Sequence, residues 1–363
     1  MKESSDTKKL VIGTITLAIA IVFFGGFLQN TYGGIFDFSK LAGQFPEWFK
    51  TGSGTSAKGG FLFALSLAPA VMLALGFVAI FEKYHALYAA SRLLTPVLKP
   101  LIGIPGCCSN SLIASTQSTD AGSSTAKFLR QDGLISHKEL LIFAAFQFSA
   151  GAMITNFLSS FAPVLLVTDK AGNTAPATIA MVLGIVFVFK ILGANLMRLY
   201  VKKFVKDDEE EEMTENKLIT DVFVEGARKG WDIAVKNTIP NVLMAFVIIH
   251  ILKVSGALSV IGKFLGFIML PLGLPGESIA VFMAAFLSWG GSAGVLVALV
   301  GDGTLNANDI AVLLPGMALV GSTVQYMGRV LGVLEVPGRH YLVLFGICIL
   351  NAYLAMFVMS LLV

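Results

Sequence analysis

Long apolar runs alternate with short polar connections along this chain, and most runs match the thickness of a bilayer. Seven stand out, at residues 10–28, 61–81, 139–167, 176–200, 238–254, 309–333 and 341–363. A spanning helix needs about 20 apolar residues. The run 238–254 is short and must stand nearly perpendicular to the membrane. Two further stretches, 107–130 and 277–300, are rich in small residues but broken by glycines and polar side chains. They read as re-entrant hairpins that enter and leave on one side. The expected fold is an all-α integral membrane protein with about seven full crossings.

The chain also resembles itself. Shifted by about 170 positions, Gly103-Ile104-Pro105-Gly106 overlies Gly273-Leu274-Pro275-Gly276. Ser118 then meets Ser288, Asp132-Gly133 meets Asp302-Gly303, Gly151 meets Gly321 and Asn156 meets Tyr326. Each half runs span, amphipathic segment, Pro-Gly turn, broken hairpin, Asp-Gly loop, two spans. With seven crossings and the N-terminus inside, the run 61–81 and its partner 238–254 travel in opposite directions. The two repeats thus have inverted topology, an architecture of many secondary transporters. The expected division is 1–60 as an N-terminal helix and external segment, 61–205 as the first repeat, 206–220 as an acidic linker and 221–363 as the second repeat.

Charge supports the orientation. Of the 26 Lys and Arg residues, about 18 fall on the inner side in this arrangement, as the positive-inside rule requires. The first apolar run follows Lys2, Lys8 and Lys9 but precedes no small-residue cleavage site, so it reads as a retained helix. The run Asp207-Asp208-Glu209-Glu210-Glu211-Glu212 must be solvated. Only 13% of residues are charged and 55% are hydrophobic, with a mean hydropathy of +0.79. That excludes a secreted disulfide scaffold, a disordered chain and a nucleic-acid binder. Cys107, Cys108 and Cys348 have no metal or redox spacing, and no catalytic or nucleotide-binding motif is present. The chain is not read as an enzyme, and no cofactor is expected.

The candidate chemistry lies in the hairpins and the helices after them. Gln117, Ser118, Thr119 and Asp120 sit near the first hairpin tip, where helix ends expose backbone N–H and C=O groups. Ser288 and Ser292 flank the second tip, and Trp289 there reads either as stacking on a planar ligand or sealing the tip, or as an ordinary tryptophan of the interface belt. Asn156 and Gln325 bring polar groups into the apolar runs that follow. These eight residues, Trp289 apart, form the expected solute site. Asp120 is the sharpest of them, because a buried carboxylate must meet a cation, a ligand amine or a basic partner. Lys127 is one candidate partner. Arg329 reads as snorkelling to the inner surface, or as pairing with an anionic solute or with Glu335.

Several segments carry a resemblance. Asp221-Val222-Phe223-Val224-Glu225-Gly226, Ile239-Pro240-Asn241-Val242-Leu243, Gly273-Leu274-Pro275-Gly276-Glu277 and Gly328-Arg329-Val330-Leu331-Gly332 resemble the YjiG-like half of a bacterial inner-membrane family. The first half, through Gly122 and Asp132-Gly133, is similar to its YjiH-like companion. The chain looks like a natural fusion of the two, joined by the acidic linker. The resemblance implies the nucleoside-recognition, or Gate, superfamily, with concentrative nucleoside transporters among its members. Gln117-Ser118-Thr119-Asp120 is loosely similar to the Gln-Thr-Glu motif of their hairpins. It implies a multi-pass protein of the bacterial cytoplasmic membrane. The leading expectation is a secondary transporter of a small polar organic solute, nucleoside-like or peptide-like, coupled to Na⁺ or H⁺. The alternative is a non-transporting scaffold or signalling partner that docks through the acidic loop. Membrane lipids and a small solute are the expected partners, with room for a homo-oligomer.

Overall fold

The computed structural model describes residues 2–25, 38, 41, 57–205, 219–240, 243, 247, 251, 255 and 266–363. Most of the run 238–254 and the acidic segment 207–212 lie outside the described residues. Among the described residues the regular secondary structure is helical, apart from an isolated antiparallel bridge between Thr168 and Thr174.

Helix α1 (Lys2–Gly25) is followed by α2 (Ala57–Lys83) and α3 (Ala86–Ile102). The last two meet at 85°, so α3 runs across the direction of α2. His85, with φ of 63°, makes the corner. The first hairpin is α4 (Ser109–Gln117) and α5 (Thr119–Gln131). Then come α6 (His137–Phe148), the short α7 (Met153–Asn156) with a π-helical turn Phe157–Phe161, and the 26-residue α8 (Ile179–Phe204). From the hairpin onward, the second half repeats this order. It has α9 (Ile219–Ile233), the hairpin α10 (Ile279–Leu287) and α11 (Trp289–Asp302), α12 (Ala307–Val320), α13 (Thr323–Tyr326) with a π-helical turn Met327–Gly332, and α14 (Tyr341–Ser360).

Among the described residues four stretches are long and apolar enough to cross a membrane: Asp6–Phe24, Ile179–Phe204, Ala307–Gly332 and Gly338–Ser360. The number rises to six if each of two bent helix pairs is one span. The runs 139–167 and 309–333, which read as plain spans, are each interrupted. Helix α6 stops at Phe148 and α12 at Val320. Ala150, Ala152 and Ser322 adopt positive φ at the breaks. The freed backbone groups are satisfied inside the protein, as hydrocarbon demands. Ala152 N donates to Ser115 O at 2.8 Å, and Ser322 N donates to Ala285 O at 2.7 Å. Those two bonds are the same bond in the two repeats, since both pairs are offset by 170.

The repeats also share their helix starts. Ser136 and Asn306 form capping boxes with Glu139 and Asp309. Gly103 and Gly273, and Gly133 and Gly303, turn the chain in the left-handed region at matching places.

Packing shows the inversion. Tyr200, near the end of α8, meets His340 at the start of α14, with Oη and Nδ1 3.1 Å apart. Further along, Asn351 Nδ2 donates to Phe189 O at 2.9 Å. Residue numbers fall along α8 as they rise along α14, so these helices are antiparallel. Helices α2 and α9, which are not counterparts, are antiparallel as well. Phe77 meets Phe223 edge-on at 5.7 Å, and Gly230 lies against Met72.

Candidate functional site

The two hairpin tips are built alike. At each, one extended serine separates the helices: Ser118 with φ −139° and Ser288 with φ −163°. Each serine then caps the second helix. Ser118 Oγ accepts from Ala121 N at 3.2 Å, and Ser288 Oγ accepts from Gly291 N at 2.9 Å. Such a short helix–Ser–helix turn leaves the carbonyls of the incoming helix and the N–H groups of the outgoing one close together.

The other expected residues fall as follows. Thr119 is buried, and its carbonyl accepts from Gln147 Nε2, which also donates to Ser123 Oγ at 3.0 Å. Ser292 is buried, and its hydroxyl donates to Trp289 O at 2.8 Å. Gln325 Nε2 donates to Leu287 O at 2.9 Å, closing the end of α10. Gln117 ends α4, and its side chain lies outside the described set.

Thr119 and Asn156 of the first repeat and Tyr326 of the second come together at the centre. Asn156 Nδ2 donates to Gly151 O at 3.0 Å and to Tyr326 Oη at 3.2 Å. Tyr326 Oη in turn donates to Gly151 O at 2.7 Å. Thr119 and Trp289, equivalent residues of the two tips, both stand close to the Tyr326 hydroxyl. Trp289 packs on Phe161, with ring centroids 4.8 Å apart. Glycine is needed beside both tips. A Cβ on Gly151 would meet Thr119 Oγ1 at 2.8 Å, and one on Gly321 would meet the Trp289 indole at 2.6 Å.

Asp120 is paired with Arg329, which donates Nε to Oδ1 at 3.0 Å and a terminal nitrogen to Oδ2. This bidentate bond links a hairpin of one repeat to the π-helical turn of the other. Lys127 pairs with Glu335 instead. Snorkelling therefore does not describe Arg329, whose side chain is 15% exposed. The reason is geometric: the π-helical turn carries it inward, toward α5.

Two buried side-chain atoms around the tips, Gln147 Oε1 and Thr323 Oγ1, complete no hydrogen bond. Each costs about 1–3 kcal/mol if left so. They are donors and acceptors held ready for a polar guest or for water. A cavity of about 600 Å³ lies elsewhere, between the 162–166 turn and the start of α8, and its lining is mostly apolar. It is too poor in polar groups to select a polar solute.

Sequence reasoning left two residues out of the site. Gln147 clamps the first tip, and Lys190 of α8 reaches the break after α6. The signal for Lys190 was present, as a lone charge inside a long apolar run.

This arrangement defines a class: a multi-pass membrane protein with two interlocked hairpin repeats. The Gate family, described as nucleoside recognition, matches residues 64–164 and again residues 235–334. The chain belongs to that family. YjiH of Escherichia coli (strain K12), an uncharacterized protein, is 41% identical over 210 residues, covering 55% of this chain and 89% of its own. The inner membrane protein YjiG of the same strain is 45% identical over 147 residues, covering 40% of this chain and 96% of its own. The protein is placed in the bacterial inner membrane. Among solved structures, a double variant of CNTnw in an outward-facing state is similar over 98% of this chain and 91% of its own, with 13% identity and a TM-score of 0.55. A second outward-facing CNTnw variant gives a TM-score of 0.52 with 14% identity, over 98% and 92% of the two chains. The fold is thus that of the concentrative nucleoside transporters.

Proposed function

We propose that this protein is a secondary transporter of a small polar organic solute, nucleoside-like or peptide-like, driven by Na⁺ or H⁺. The observation that carries the reading is the set of buried polar side chains between the tips and the broken helices. Thr119, Gln147, Trp289 and Thr323 offer both donors and acceptors there. Gln117, Ser118, Thr119, Asp120 and Asn156 would face the solute from one repeat, and Ser288, Ser292 and Gln325 from the other. Trp289 supplies an aromatic face for a planar ring. The Asp120–Arg329 pair ties the hairpin of one repeat to the other repeat and would hold the site's two halves in register. The repeats 61–205 and 221–363 act as the two moving parts, preceded by 1–60 and joined by 206–220. A homo-oligomer fits this reading without being required by it.

A second reading has one observation in its favour. Tyr326 and Trp289 fill the centre, as in a scaffold packed shut. Two measurements separate the readings. Purified protein is first screened by thermal shift against nucleosides, dipeptides and organic acids, with and without Na⁺. Hits are then tested for uptake into proteoliposomes under Na⁺ and pH gradients. Gradient-driven accumulation of any hit supports transport. No uptake, together with permanent protection of single cysteines at Ser118 and Ser292, overturns it.

A further inference from the structure

Lys190 stands within α8, and its side chain is fully buried. An ionisable group at such a place is costly and is retained for function. Among the described residues no carboxylate bears on it. Its Nζ donates to the carbonyls of Ser149 and Ala150, the latter at 3.0 Å, and lies 4.5 Å from the centre of the Phe146 ring. Those carbonyls are the ones released where α6 stops. They belong to the unwound residues just past the negative end of the interrupted helix, turned by Ala150 at φ 52°.

Among the described residues, the matching break of the second repeat holds no such cation. Leu319, the counterpart of Ser149, has its carbonyl met by Ala150 N at 3.1 Å and by Cys348 Sγ at 3.2 Å. The two breaks share a backbone course but differ in what neutralises them. In interrupted transporter helices, unwound carbonyls and half-helix C-termini are where Na⁺ or H⁺ binds. Here a cation is already present, fastened to α8.

We propose that Lys190 is the coupling group, its ammonium serving as a tethered cation at the first helix break, so that the driving ion is H⁺ and not Na⁺. The proposal rests on the transporter reading and names its coupling ion. In each cycle one N–H bond of the ammonium breaks. The proton passes to water on the side to which the site is open, and the amine keeps the electron pair. Loss of charge removes the hold on Ser149 and Ala150 and frees the break to rearrange. Reprotonation from the other side completes the cycle, with one H⁺ moved per turn. Of the elements packed around Lys190, α6 presents Phe146 and the two carbonyls, and α14 presents the thiol of Cys348. That thiol is the titratable neighbour, and α12 contributes the Leu319 carbonyl that it bonds.

Two measurements test this. The first needs no solute. The melting temperature of the purified wild type should not change when Na⁺ is replaced by choline. Lys190→Ala, which empties the carbonyl cradle, should become Na⁺-dependent. Stabilisation of the wild type by Na⁺, or no Na⁺ response in a folded Lys190→Ala, overturns the tethered cation. The second uses the solute found by the uptake screen. A pH gradient should drive accumulation of about tenfold per pH unit. Lys190→Arg keeps the charge and cannot release the proton. It should retain solute exchange and lose uphill accumulation. Wild-type-like accumulation by Lys190→Arg, or uptake driven by Na⁺ at equal pH, overturns the proposal. If the wild type moves no solute at all, the transport reading fails, and the melting experiment still decides whether Lys190 fills a cation site.

Discussion

Asn156 and Tyr326 are counterparts in the two repeats, and they bond to each other, Nδ2 to Oη, at 3.2 Å. A residue can touch its own equivalent only beside the axis that relates the repeats. This bond therefore marks the centre of the molecule, and the break at Gly151 lies against it. Both hairpin tips converge on the same point through Thr119 and Trp289.

Tyr326→Phe removes a donor from the Gly151 carbonyl but leaves Asn156 bonded there. The expected cost is about 1 kcal/mol. A double-mutant cycle with Asn156→Ala, read by unfolding in detergent, should give a coupling of roughly 0.5 kcal/mol or more. Strict additivity would mean the two side chains do not interact.

Asp120→Asn keeps the shape of the side chain and leaves Arg329 buried without its carboxylate. Breaking a buried pair from one side costs about 3–5 kcal/mol. The variant should therefore be recovered at much lower yield of monodisperse protein. The double variant Asp120→Asn with Arg329→Gln should regain part of the loss. If Asp120→Asn alone folds and melts like the wild type, the pair is not structural.

Gly321→Ala places a methyl group within 2.6 Å of the Trp289 indole. Overpacking of this kind costs about 1–3 kcal/mol. Gly321 has φ −56°, so backbone strain does not contribute. Trp289→Phe in the same chain should relieve the clash and raise the melting temperature above that of Gly321→Ala.

Asp169 lies in the connection before α8. Its Oδ1 accepts from Ala171 N and Asn173 N, both at 2.9 Å, and its Oδ2 accepts from Ala307 N at 3.2 Å. Hydrogen bonds from the Asn173 backbone first, then from Ala307 and Ala171, hold its carboxyl below the usual aspartate range. A depressed carboxylate stabilises the fold above its unfolded value, about 3.9. That contribution disappears as pH falls through the lower folded value. Asp169→Asn should thus lower the melting temperature at pH 7 and leave it nearly unchanged in strong acid. An equal loss at both pH values would contradict the assignment.

The antiparallel course of α8 and α14 sets a topology test. Reporter fusions after Val205 and after Val363 should report opposite sides of the membrane, with Val205 inside. The same side for both would sink the inverted repeat.

Much of the frame was legible in the residues. Apolar runs long enough to cross a bilayer set the membrane class, because length and polarity alone decide that partition. The Pro-Gly turns, the Asp-Gly loops and the paired serines Ser118 and Ser288 exposed the repeat, since local turn and cap chemistry survives in sequence. Lysine and arginine asymmetry predicts its direction, which the reporter fusions test. The breaks after Phe148 and Val320 were hidden inside continuous apolar text. Ala150, Ala152 and Ser322 carry no marker of positive φ. Their conformation follows from bonds to Leu319, Ser115 and Ala285, which are distant in the chain.

Partner choice was decided by tertiary structure for the same reason. Asp120 called for a cation, and burial of a carboxylate made that much certain from sequence. Lys127 was nearer along the chain, yet Arg329 holds Asp120 and Glu335 takes Lys127. Which charge meets which depends on how two inverted repeats interlock, 209 residues apart in the case of Asp120 and Arg329. Sequence thus determined the elements, their repeat and the groups that needed partners. Only the packed fold decided where the helices break and which carbonyls, rings and charges meet at the centre, because those contacts are long-range and leave no local trace.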